Sequence, residues 1–296
     1  MQVLVTGATG FLGSHLVPFL SENGCTVQRI TRNPSLEGDV TWNPVRDEID
    51  DTALQPPEVV VHLAGENIAD GRWTDAKKQR IRDSRVKGTK LLSETLARQP
   101  HRPRVFLSAS AVGYYGDRGD QVLTEESGSG EGFLADVCRQ WEAATQPAIQ
   151  AGIRTVCLRN GLVLAADGGA LSKMLRAFRL GLGGSVGSGQ QYWSWISITD
   201  WLHIILHCFA TETLSGPVNA TAPHPVRNLE FTHALGHALK RPTLIPVPEF
   251  AARLALGEMA DEMLFASAHV MPVRLQTSGY EFTQATLDEA LQNLLS

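Results

Sequence analysis

The chain has 296 residues, with 26 Lys and Arg against 31 Asp and Glu, a formal net charge of −5 and 43% hydrophobic side chains. That length suits one large α/β domain or a domain with an appended lobe, and the acidic balance excludes the overall basic footprint of a nucleic-acid-binding protein. The composition is too apolar for disorder, and apolar runs such as Val59–Val61 are far too short to span a bilayer. Cys25, Cys138, Cys157 and Cys208 are scattered, with no CxxC pair and no His at metal-ligand spacing. They read as buried reduced thiols in a cytoplasmic protein without a metal, and the opening MQVLVTG lacks the basic start and cleavage site of a signal peptide.

In chain order, Val3–Val5 is a short strand and Phe11–Leu20 a helix that Asn23-Gly24 stops. Cys25–Ile30 is the second strand and Val40–Trp42 a short third. Pro56-Pro57 introduces Glu58–Leu63, whose β-branched run fits a strand buried on both faces. Thr74–Arg98 is a long amphipathic helix, Val105–Ser108 a strand, Gly132–Gln150 a helix and Arg154–Arg159 a strand. Repeated strand–helix units predict an α/β fold with a doubly wound parallel sheet of the Rossmann type. From about Gly161 the alternation breaks up. Glycines cluster over Gly181–Gly189, Tyr192–Trp195 is aromatic, Asp200 reads as a helix N-cap, and Leu229–Ser296 is mostly helical with Pro-marked turns. The expected division is residues 1–160, with a return segment about 192–220, as the nucleotide-binding unit. Residues 161–191 and 221–296 form a smaller helical substrate-side lobe.

The sharpest signal is Thr6-Gly7-Ala8-Thr9-Gly10-Phe11-Leu12-Gly13, between the first strand and the first helix. Gly7 allows the tight turn, Gly10 lets backbone approach a pyrophosphate, and Gly13 lets helix and sheet pack closely. Amides near Phe11 and Leu12 then face the phosphates. The second strand ends Arg29-Ile30-Thr31-Arg32, with no carboxylate for ribose hydroxyls. Arg32 is placed for a 2′-phosphate, so NADP(H) is expected over NAD.

Gly7, Gly10 and Gly13, with His62-Leu63-Ala64-Gly65, resemble an extended short-chain dehydrogenase/reductase. Ala64-Gly65-Glu66-Asn67-Ile68, Gly113-Tyr114-Tyr115-Gly116 and Phe178–Gly184 resemble its atypical "epimerase family" branch. That branch is nucleoside-diphosphate-sugar epimerase-like and has a characteristic C-terminal domain, which Phe231–Arg241 and Val270–Arg274 fit. The resemblance implies that Thr31 and Arg32 contact the adenosine phosphate, that Leu63, Ala64 and Gly65 pass under the cofactor, and that Arg85 and Val163 border it.

Active members of the superfamily pair a Ser with Tyr-xxx-Lys, in which the lysine lowers the tyrosine pKa and holds the nicotinamide ribose. Ser110 matches the serine. Aligned on Glu142, however, Leu134 stands for the tyrosine and Cys138 for the lysine. Tyr114 and Tyr115, after the fifth strand, are the substitute proton donors, or else shape the pocket wall. Cys138 could be a nucleophile but reads rather as a buried inert thiol, mid-helix with no His nearby, and Glu66 and Lys173 could do acid–base work or equally be pocket-rim salt-bridge partners. Gly187–Trp195 suits a sugar or flat ring, or is a loop anchored by Trp195. Arg159 and Arg227 suit an anionic substrate or nearby carboxylates, and His203 and His207 lack the HExxH pattern. Two functions follow: an NADP(H)-dependent, epimerase-like oxidoreductase of an unassigned nucleotide-sugar or carbonyl substrate, or a non-catalytic NADP(H) sensor. Either acts as a monomer or homodimer, without nucleic acid or membrane.

Overall fold

A computed structural model describes all 296 residues. The elements in order are β1 (Gln2–Thr6), α1 (Phe11–Glu22), β2 (Thr26–Thr31), β3 (Val40–Asn43), β4 (Glu48–Ile49), β5 (Val59–His62), α2 (Asp75–Arg98), β6 (Val105–Ala111), β7 (Val122–Leu123), α3 (Phe133–Ala143), α4 (Gln146–Gln150) and β8 (Arg154–Asn160). Then come β9 (Leu162–Leu164), α5 (Gly169–Arg179), β10 (Tyr192–Trp193), β11 (Trp195–Ser197), α6 (Ile198–Ala210), β12 (Gly216–Ala220), β13 (Val226–Arg227), α7 (Asn228–Leu239) and α8 (Glu249–Leu256). An eight-stranded sheet runs β12-β8-β6-β5-β1-β2-β3-β4. Every pairing in it is parallel except β3 with β4. The doubly wound sheet expected from the alternation is present, with its order reversing at β1, where such folds bind ligands.

Each central strand is apolar on both faces because both are covered. Val3, Val5, Val59, Val61, Val105 and Leu107 enter a core of 36 buried residues that includes α1 and α6. Their alternates Leu4, Val60 and Phe106 enter a second core of 11 residues against α2. Thr74 caps α2 by accepting from the Lys77 amide.

Two local expectations are corrected. Gly132–Gln150 is not one helix: it divides into α3 and α4. Pro147 has no N–H for the carbonyl of Ala143, and its ring would collide with that carbonyl in a continuous helix. Asp200 is not the N-cap of α6. Ser197 is, accepting from the Asp200 amide at 3.1 Å. The Asp200 carboxylate is wholly buried and instead takes the Tyr280 hydroxyl, the Thr283 amide and hydroxyl, and the Gln284 amide at 2.9–3.0 Å. The return toward the sheet is indirect as well: β11 pairs with β9 in a separate ribbon, and β12 forms the sheet edge beside β8.

Candidate functional site

The glycine loop is built as its spacing predicts. Gly7 has φ +71°, and a Cβ there would lie 2.8 Å from Leu63 C and Ala64 N. A Cβ on Gly13 would lie 2.2 Å from Gly7 O, so α1 rests directly on the loop. Gly10 meets only Gly7 O, at 3.3 Å. The first turn of α1 carries no acidic side chain, which leaves its amide end, at Phe11, Leu12 and Gly13, open to an anion. Beneath the loop, Thr6 Oγ1 accepts the Leu63 and Ala64 amides, both at 3.2 Å, and fastens the end of β5 to β1. This cradle fits a pyrophosphate, and side chains at Gly7 or Gly13 would collide with the backbone that forms it. Thr9, exposed between these glycines, lies on the same turn.

At the end of β2 the two arginines differ. Arg29 grips Asp39 at 2.6 and 2.8 Å, and Asp39 also takes the Ser35 and Leu36 amides. Arg29 holds that carboxyl well below its usual range. Thr31 bonds locally to Asn33, while Arg32 is exposed and has no hydrogen-bond or ion-pair partner.

On the other side of the loop, Arg85 lies over Gly65, where a Cβ would stand 3.2 Å from its Cζ. Its Nη1 donates to the carbonyls of Glu66 and Ile81, and its Cζ is 5.0 Å from the Trp141 ring. Val163, on β9, is 8% exposed. The Phe11 ring bridges toward the segment after β9, against Gly168 and Gly169.

Where proton transfer was expected, the structure is occupied by an internal network. Ser110 Oγ donates to Glu142 Oε1 at 2.7 Å. Arg159 Nε and Nη2 donate to the two oxygens of that carboxylate, both at 2.8 Å, and Arg159 Nη1 donates to the Tyr115 hydroxyl at 2.9 Å. That hydroxyl in turn faces Asn219 Oδ1 at 2.7 Å and Thr124 O at 3.0 Å. Tyr115 is 0% exposed, and burial raises its phenol above the ordinary value. Tyr115, named with Tyr114 as a substitute proton donor or a pocket-wall residue, thus has its hydroxyl enclosed in a network between β8 and β12. Ser110 likewise turns its proton inward. Tyr114 is half-buried, makes no hydrogen bond through its hydroxyl, and carries the Arg159 guanidinium 3.5 Å from its ring centroid.

Leu134 packs against Gly113, where a Cβ would stand 3.3 Å from its own. Cys138 is buried, and burial pushes its thiol up to about 12, which disfavours the thiolate form. Glu66 is held by Lys77 at 2.8 Å, Lys173 donates to the carbonyl of Ala69, and Arg227 pairs with Asp120. His203 packs edge-on against Phe19, and His207 bonds Ser278. The Gly187–Trp195 segment is anchored: Gln191 Nε2 donates to Val186 and Leu264 carbonyls, and Trp195 Nε1 to His224 O. Sequence reasoning used Glu142 only as an alignment mark, although its place four residues after Cys138 puts both on one helix face. It missed Asn219 altogether, and also Glu262, whose carboxylate caps α3 by accepting the Phe133 and Leu134 amides at 2.8 and 3.0 Å.

Comparison with known proteins agrees with this geometry. The model of the NAD-dependent epimerase/dehydratase family matches residues 3–219, and a domain of unknown function, DUF1731, matches residues 247–294. An epimerase family protein of Mycobacterium bovis is 44% identical over 290 residues, covering 98% of this chain and 96% of the relative. The crystal structure of human epimerase family protein SDR39U1 (isoform 2) with NADPH superposes with TM-score 0.93 at 33% identity, covering 100% of this chain and 99% of that one. A nucleoside-diphosphate sugar epimerase from Corynebacterium glutamicum gives TM-score 0.83 at 35% identity, covering 100% of this chain and 58% of that one. No helix is long and apolar enough to cross a membrane.

Proposed function

The chain belongs to the NAD-dependent epimerase/dehydratase family, and on that premise we propose that it is an NADPH-binding oxidoreductase acting on a carbonyl or nucleotide-sugar substrate with a non-standard proton donor. The observation that carries the cofactor choice is the contrast at β2: Asp39 neutralises Arg29, while Arg32 stands unpartnered beyond the open amide end of α1. Arg32 would hold the 2′-phosphate through its planar fork, and the amides of Phe11, Leu12 and Gly13 the pyrophosphate. Leu63, Ala64 and Gly65 would floor the site, with Thr31, Arg85 and Val163 at its margins.

When bound, a reduced nicotinamide supplies a hydride for a carbonyl carbon. The protein's part is to hold the substrate oxygen and give it a proton, and Tyr114 is the phenol of the adjacent pair whose hydroxyl is not engaged elsewhere. Ser110, which matches the motif serine, would stand beside that oxygen with its hydroxyl bonded to Glu142. In this reading residues 1–160 with about 192–220 form the cofactor unit, and 161–191 with 221–296 the substrate-side lobe. The protein works in the cytoplasm as a monomer or homodimer.

A second reading, a non-catalytic NADP(H) sensor, is favoured by one observation: Leu134 and Cys138 replace both motif groups while Ser110 and Tyr115 are bonded inward. Following reduced-nicotinamide absorbance across carbonyl and nucleotide-sugar panels separates the two. Turnover that Tyr114→Phe abolishes supports the enzyme; tight NADPH binding with no turnover on any substrate supports the sensor.

A further inference from the structure

We propose that the C-terminal part of the chain carries a docking surface for an acidic phospholipid membrane, formed by the loop after α5, the segment between α7 and α8, and one face of α8. The contact is peripheral, since no helix is long and apolar enough to cross a bilayer. It goes beyond the expectation of no membrane partner, which rested on the length of apolar runs, and it is independent of the cofactor assignment.

The surface is assembled from two stretches that run side by side. Arg241 Nε donates to the Arg179 carbonyl, and a Cβ on Gly184 would fall on the Ile245 carbonyl. The Val247 amide donates to Ser185 O at 2.8 Å, and the Gly187 amide to Val247 O at 3.0 Å. Held in this way, the two stretches present Leu180, Leu182, Leu244 and Ile245 to solvent, with Leu180 75% and Leu244 84% exposed. Phe250 and Leu254, both 74% exposed, extend the series, and their four-residue spacing puts them on one face of α8. Single exposed apolar side chains need no explanation, but six on adjoining segments mark an interaction surface.

Charge decides what covers it. Residues 169–189 and 231–248 contain no Asp or Glu, in a chain whose net charge is −5. Arg176 and Arg179 lie in the last turn of α5, Lys240 and Arg241 directly follow α7, and all four are exposed and form no ion pair. A two-fold dimer through this surface would place these uncompensated cations in one interface twice over, which works against a second copy as the occupant. A layer of anionic headgroups compensates them instead. The leucines stand out from the surface and enter the headgroup boundary without needing a matching socket.

The test is flotation of the full chain with vesicles of phosphatidylcholine alone, or of phosphatidylcholine and phosphatidylglycerol in equal parts. The wild-type chain should float with the mixed vesicles and not with phosphatidylcholine, and added salt should release it. Arg179→Gln with Lys240→Gln should weaken binding by about fivefold for each cation. Leu182→Ser with Leu244→Ser should weaken it by roughly tenfold or more. All four side chains are exposed, and unchanged thermal melts show that both variants keep the fold. Wild-type protein that ignores the mixed vesicles overturns the proposal, as does flotation that either pair of substitutions leaves unchanged. A concentration-dependent dimer that the leucine variant dissolves, in a chain that does not float, would overturn it in favour of a second copy.

Discussion

Glu142 on α3 and Arg159 on β8 meet as a two-point ion pair, both bonds 2.8 Å, with Arg159 only 3% exposed and Glu142 15%. The pair stands between the framework phenol of Tyr115 and the hydroxyl of Ser110, so it sets the positions of both. Removing one member leaves a buried charge with no counterpart. Glu142→Ala is expected to cost about 3–5 kcal/mol, and replacing both residues by apolar side chains of similar volume should recover most of it. Urea unfolding of the single and double variants checks this; a double variant as unstable as the single one would contradict it.

Arg32→Ala should weaken NADPH by roughly tenfold to a hundredfold, the size of a lost charge-assisted contact. NADH, which lacks the 2′-phosphate, should be little affected. Fluorescence titration of both cofactors decides it, and equal losses would refute the 2′-phosphate assignment.

Gly13→Ala should be the most damaging small substitution in the glycine loop. Its methyl would stand 2.2 Å from Gly7 O and 2.6 Å from Ala8 Cα, both backbone atoms that cannot step aside. Stability should fall by about 1–3 kcal/mol and cofactor affinity with it. Gly128→Ala, where a Cβ meets nothing and φ is not positive, is the control. Thermal melts with and without NADPH give both readouts.

His62 ties stability to pH. It is fully buried between Thr6 and Thr89, at 2.6 and 2.9 Å, and burial lowers its imidazole from 6.5 to about 3. Between those values the unfolded chain takes up a proton that the folded chain refuses. This contribution is complete above about 6.5 and is lost as the pH falls toward about 3, with a slope of up to about 1.4 kcal/mol per pH unit. His62→Gln should flatten that slope in urea unfolding measured across the range. An unchanged slope would show that other groups set it.

The sheet was legible because its rules are local. Val59–Val61 announces a strand covered on both sides, and Gly7, Gly10 and Gly13 each answer a backbone requirement within a few residues. The place of Arg32, just past the end of a recognisable strand, was legible for the same reason. Tyr114 and Tyr115 were not separable, because what buries Tyr115 comes from Thr124 and from Asn219, which is 104 residues away. The break at Pro147 was readable in principle, since proline cannot continue the hydrogen-bond ladder. Glu262, 128 residues from the helix start it caps at Leu134, leaves no local trace.

Asp200 also bears on the order in which the molecule is assembled. Tyr280 is synthesised 80 residues after it, and Thr283 and Gln284 later still. Until those donors exist, α6 would bring into the core, along with Trp201, Ile204 and Ile205, a carboxylate whose remaining side-chain donor is the Ser197 hydroxyl at 3.3 Å. Closing the apolar layer behind the sheet is therefore costlier before residues 280–284 are made, although every strand of the sheet has already been made. A single carboxylate thus couples the core around α6 to a segment 80 residues downstream.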